Sequence, residues 1–288
     1  MKKRTVFWSA VAIVAAMWLA CPSSIRPQAP AGGAAGAAAS ASSSSVQPGR
    51  DTSPMNAENY LELWHKASDK KEEKAFEQFH AVAATDYAKK IQSGEKFLID
   101  YPRSELVRFV YPVLVVCYIQ SGQLDKGMTT AKKDFEINPK DYRTMAVLSQ
   151  TLARTYNAKA PNADEQLARA DGYGKKALEG ISSFAKPEEM TDEAFARAKD
   201  DIGAMAHGGI GLVLLQQKKY AEAIPDLQKA TALNAFDQTN FYLLGVANQN
   251  SSHYAEAGTA FEKCASLPGN LEGTCRSAAV EAKKLVGR

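Results

Sequence analysis

The sequence predicts an all-α fold in which short helical hairpins stack on one another, and two observations carry that expectation. From Asn56 onward the apolar residues recur at spacings of three and four, without the sustained alternation of Val, Ile and Thr that strands show. In addition, sliding residues 204–237 forward by 34 superposes them on 238–271: Gly211 falls on Gly245, Tyr220 on Tyr254, Ala223 on Ala257 and Leu227 on Phe261. Within each unit, small residues therefore stand at places eight and twenty, and large ones at seventeen and twenty-four. Two antiparallel helices approach closely only where side chains are small, and bulk must fill the space to either side. One hairpin cannot bury its apolar face alone, so hairpins stack into a solenoid.

Residues 108–141 fit the same frame. Tyr111, Leu114 and Tyr118 take the large places of a first helix, Gly122-Gln123-Leu124 makes the turn, Gly127 is the small residue and Pro139 stops the second helix. With this third unit the pattern resembles the tetratricopeptide repeat from about residue 70 to the end of the chain. That resemblance implies helix-turn-helix units wound into a right-handed superhelix. About five repeats are expected (roughly 70–104, then 108–141, 142–184, 191–237 and 238–271), closed by a cap helix over 272–286. In 142–184 a first helix runs through Tyr156, residues 157–162 form an inserted loop, and Ala170, Gly174 and Ala177 take small places. Residues 191–217 read as one long helix that lengthens the first helix of its repeat. Upstream, Tyr101-Pro102-Arg103-Ser104 ends a second helix. The phrase resembles bacterial envelope proteins of this family, including the accessory lipoprotein of outer-membrane barrel assembly.

The N-terminus reads as a targeting segment. Lys2, Lys3 and Arg4 precede a 16-residue uncharged run over 5–20, and Cys21 follows directly. The run is short for a spanning helix of about 20 residues, and long for an ordinary signal core of about 7–15. Trp18-Leu19-Ala20-Cys21 resembles a bacterial lipoprotein signal, with Trp18 where that family usually has Leu; Cys21 would then be the lipidated residue. An uncleaved anchor, lipidation at Cys21, and cleavage with release all stay open, and all three imply export. Residues 1–21 are thus a signal or membrane anchor. Residues 22–54 are a flexible linker, since 31–45 hold only Ala, Gly and Ser. The linker's root-mean-square span would be about 30 Å. The expected location is extracytoplasmic and membrane-tethered, in the periplasm, with residues 55–288 as the repeat domain.

Charge excludes one class of partner. The chain carries 35 Lys and Arg against 32 Asp and Glu, and Lys2, Lys3 and Arg4 supply the whole excess of three. A neutral body has no electrostatic footprint for nucleic acid. Catalysis finds no constellation either. His65, His80, His207 and His253 are separated by 15, 127 and 46 residues, never by the four that place two ligands on one helix face. Gly208-Gly209-Ile210-Gly211 falls inside a helix, where no phosphate-cradling loop forms, and reads as packing glycine. No enzyme activity, cofactor or metal is expected.

Binding is expected on the first helix of each repeat. In the family that the chain resembles, places two, five, nine, twelve and thirteen line the concave groove. Read off here, they put Phe109 and Val116 in the second repeat, Arg143, Gln150 and Arg154 in the third, Leu212 in the fourth, and Tyr242, Gln249 and Asn250 in the fifth. Such a surface suits an extended peptide or a partner helix. Repeat proteins that clamp chaperone C-termini use Lys at place five and Asn at place nine; Pro112, Val116, Ala146 and Gln150 stand there instead. A protein–protein scaffold or adaptor of the cell envelope follows, with an accessory factor of barrel assembly or cell-wall enzyme regulation as the alternative. Finally, Cys264 at place twenty-seven and Cys275 on the next helix face each other across one helix contact, which predicts a disulfide in an exported protein. Cys117 has no comparable partner.

Overall fold

The structure, a computed structural model, describes residues 69–184, 186 and 191–286. The targeting segment, Cys21 and the linker lie outside the described residues. Among those described, eleven helices follow one another with no strand: α1 Lys70–Ala81, α2 Tyr87–Asp100, α3 Val107–Gln120, α4 Leu124–Ile137, α5 Tyr142–Arg154, α6 Ala163–Ser182, α7 Asp192–Gln216, α8 Tyr220–Leu233, α9 Gln238–Asn250, α10 Tyr254–Ser266 and α11 Glu272–Leu285. None of these helices is long and apolar enough to cross a membrane.

Local chemistry sets where helices start. The side chains of Asp69, Asp86, Asp141, Thr191 and Asp237 each accept from a backbone N–H of the first turn of α1, α2, α5, α7 and α9. Each satisfies a donor that the helix itself leaves without a partner. The turns inside repeats share a second device. Place fifteen is Gly122, Lys218 or Ser252, with φ of 74°, 62° and 65°. The residue after it closes back on the fifth residue before it: Gln123 N donates to Tyr118 O at 2.8 Å, Lys219 N to Leu214 O at 2.9 Å, and His253 N to Asn248 O at 2.9 Å. This is the Schellman stop, in which one left-handed residue ends the helix. Only Gly122 adopts that conformation without steric cost.

The helices pair as α3 with α4, α5 with α6, α7 with α8 and α9 with α10, and the first helices of these pairs touch in series. The pairs close where glycine meets a large residue. A Cβ on Gly211 would stand 2.6 Å from Leu227 of α8, and one on Gly245 would stand 2.5 Å from Phe261 of α10. Places eight and twenty-four thus touch in both repeats, and Leu227 and Phe261 are fully buried. Upstream, Phe76, Phe79, Phe97, Leu106, Val110 and Leu114 form an aromatic-rich core over α1–α3. Beside it Lys90 is buried, and its Nζ donates to the carbonyls of Phe79 at 2.9 Å, His80 at 3.0 Å and Val82 at 2.7 Å. A cation from α2 therefore caps the C-terminus of α1, where the helix dipole favours it. At the far end α11 packs on α10, with buried Cys264 and Cys275 in bonding position, Cα–Cα 5.8 Å. Cys117 is a buried free thiol whose pKa burial pushes up to about 11.

Candidate partner-binding face

Helix α7 brings its neighbours together through its glycines. A Cβ on Gly209 would run into Ser149 of α5, and one on Gly208 into Asn240 of α9, with Gln150 of α5 3.1 Å away. Gly211 serves α8, as above. Three successive faces of one helix are kept bare so that α5, α8 and α9 can all approach it. The glycine string is therefore packing, as its mid-helix position required.

This approach gathers a polar strip on the first helices of the third to fifth repeats. Gln216 Nε2 donates across to Ala153 O at 3.2 Å, tying the end of α7 to the end of α5. Arg154 sits where burial lowers the pKa of its guanidinium and the Asp237 carboxylate, at the cap of α9, pulls it back up. Asp237 also accepts from Thr239 N at 2.8 Å, Asn240 N at 3.1 Å and Asn240 Nδ2 at 3.0 Å. Asn240 is 1% exposed, so its amide is a fixed part of this contact.

The residues that register assigns to the groove divide accordingly. Arg143, Gln150, Arg154, Gln249 and Asn250 are half-buried, and so are Phe109 and Val116 on α3. Asn250 Nδ2 donates to Val246 O within its own helix at 2.8 Å. Phe109 joins the N-terminal aromatic core, its ring 6.3 Å from that of Phe76. Leu212 and Tyr242 depart from the expectation of open groove positions, each being only 6% exposed. The Tyr242 ring lies 5.9 Å from that of Phe261, and burial raises the pKa of its hydroxyl. It packs over the same residue that fills Gly245, so its contribution is to the core of the fifth repeat.

Register could not have found the influence of Asp237 on Arg154, because it acts between residues 83 positions apart with three helices between them. His207 Nδ1 lies 2.7 Å from Asp226 Oδ1, a contact between α7 and α8 that fits a packed, hydrogen-bonded histidine. Among the described residues no group of three or more His, Cys, Asp and Glu side chains converges to hold a metal ion.

Comparison with known proteins bears on residues 206–237, where the family model of the tetratricopeptide repeat matches. The matched stretch is the second half of α7 with all of α8. Among solved structures, the chain is similar to the TPR2AB-domain:pHSP90-complex of yeast Sti1. Identity is 14% over 80% of this chain and 98% of that one, with a TM-score of 0.24. No curated protein matches.

Proposed function

We propose, from the premise that the chain is a tetratricopeptide-repeat protein, that it is a non-enzymatic scaffold whose first-helix face binds an extended segment of a partner protein. The observation that carries this reading is the strip over α5, α7 and α9. It holds Arg143, Gln150, Arg154, Gln216, Gln249 and Asn250 half-buried, next to apolar Leu212 and Val246. Amides and guanidinium groups at helical spacing supply hydrogen bonds to an extended backbone, and the small residues beneath them let it come close. A photo-crosslinker placed at Gln249 should capture a protein partner, and one at Lys229, exposed on the second helix α8, should not. Arg143→Ala with Gln249→Ala should then weaken capture about tenfold or more, with the melting temperature nearly unchanged. Equal capture from both positions would overturn the assignment of the face.

The setting is part of the same proposal. The basic start, the apolar run over 5–20 and the Ala/Gly/Ser linker favour an exported protein held to the extracytoplasmic side of a membrane by its N-terminus. Oxidation of Cys264 and Cys275 to a disulfide is consistent with that compartment. The Tyr101-Pro102-Arg103-Ser104 turn favours a role in envelope biogenesis as the narrower version. Membrane fractionation of the full chain and of Cys21→Ser tests the tether, and recovery of the full chain in the soluble fraction would remove it.

A further inference from the structure

Where the chain crosses from α4 to α5, two carboxylates face each other away from water. Asp134 is 0% exposed and Asp141 is 6% exposed. Asp134 Oδ1 accepts from Asn138 Nδ2 at 2.7 Å, and Asp134 Oδ2 is buried with no hydrogen-bond partner. Asp141 is engaged as the cap of α5: Oδ1 accepts from Thr144 N at 2.9 Å and Oδ2 from Thr144 Oγ1 at 2.7 Å.

The groups acting on Asp134 are Asp141 and Asn138. From α3, Tyr111 is raised in pKa by burial and by the charges of Glu136 and Asp134, whereas Arg108 turns its guanidinium to Glu105 at 2.8 Å. Arg108 gives this corner only its carbonyl, which accepts from Asn138 Nδ2 at 2.9 Å. From α6, Tyr173 meets the neighbouring Phe135 ring at 5.9 Å and packs on the adjoining apolar clusters. On α5 the next charged residue is Arg143, two positions past Asp141. Burial first, and the charge of Asp141 second, push the pKa of Asp134 up to about 8. Two adjacent carboxylates in an interior cannot both ionise cheaply. A proton on the pair supplies the donor that Asp134 Oδ2 lacks and removes the repulsion together.

We propose that Asp134 and Asp141 share one proton, and that this carboxyl–carboxylate contact is a pH-sensitive latch closing α4 onto the start of α5. The rest of the junction is slight. Helix α5 packs mainly on α6 and α7, and its tie to the preceding repeat is the small cluster of Val115, Ala131 and Leu148 together with Phe135 of α4, which packs against the cluster that holds Met145 and Ala146. Place twenty-seven is also a small residue in the later repeats, Ala230 and Cys264, so the acid at Asp134 is a departure confined to this junction. Arg143, Gln150 and Arg154 ride on α5, so opening the latch moves the polar strip relative to α3. The latch stands on its own whether or not that strip binds a partner.

The sign follows from linkage. Asp134 has a raised pKa in the closed state and an ordinary one when the corner opens, so the closed state holds the extra proton. Its advantage is complete below the ordinary carboxylate range and is lost as pH rises through the closed-state value. Carboxyl-carbon NMR of the full chain should therefore find one Asp titrating near pH 8, far from the rest. Amide exchange over 137–144, corrected for its intrinsic rate, should rise roughly tenfold per pH unit from about 6 to about 8 and level above it. Asp134→Asn keeps a donor for Asp141 without a proton to lose, so its exchange should be flat with pH. Asp134→Ala removes donor and charge, and should be flat but faster at low pH. Full ionisation of every Asp by about pH 6 in the unaltered chain, or an undiminished pH slope in both variants, would overturn the proposal.

Discussion

Asp141 and Asp237 hold the same place, the last of their repeats, and each caps the first helix of the next. Their surroundings are opposite. Asp237 accepts from Thr239 N, Asn240 N and Asn240 Nδ2 and has the Arg154 guanidinium nearby, with small Ala230 at place twenty-seven. Asp141 accepts from Thr144 N and Thr144 Oγ1 and faces Asp134 at that place. The cap is thus a common part, and one residue seven positions upstream decides whether the corner is indifferent to pH. A repeat frame tolerates this exchange because it specifies only that place twenty-seven be buried, which an acid satisfies once it is neutral.

The comparison is tested most severely by transplanting the acid. Ala230→Asp should bring a second carboxyl against Asp237 in a corner already filled. We expect a loss of about 3–5 kcal/mol at pH 8, smaller at pH 5, in urea titrations at both values. An equal loss at both would show that bulk rather than charge dominates. Gly245→Ala tests the apolar side, since its Cβ would stand 2.5 Å from Phe261. Overpacking should cost about 1–3 kcal/mol with no pH dependence. The reverse change at the other corner, Asp134→Asn, should raise the melting temperature at pH 8 by about 2–4 °C and flatten its decline between pH 5 and pH 8. Ser252→Gly should give the smallest effect, a gain of about 1 kcal/mol, by relieving a left-handed residue with φ of 65°. A loss there would mean that the Ser252 side chain holds something its backbone does not.

Much of this architecture was legible because a 34-residue period records contacts between neighbouring helices. Gly211 with Leu227 and Gly245 with Phe261 are contacts of that kind. The site was only half legible. Place numbers could not tell Tyr242, packed on Phe261, from half-buried Gln249, because both satisfy the same pattern. Nor could they bring Arg154 under the influence of Asp237. Those facts depend on the approach of α5, α7 and α9, which the glycines of α7 set by fractions of an ångström.

Lys90 has a consequence for anyone who dissects the array. Its ammonium, spread over the carbonyls of Phe79, His80 and Val82, makes the end of α1 and the start of α2 one electrostatic unit. A fragment trimmed between them, beginning near Tyr87, would remove the three carbonyls together with the Phe79 ring over which Lys90 Nζ sits, and would lay bare Phe97 and Leu114, which Phe76 and Phe79 cover in the first core. A soluble minimal fragment should therefore begin before Asp69 or after Tyr101. Limited proteolysis should likewise release α1 and α2 together.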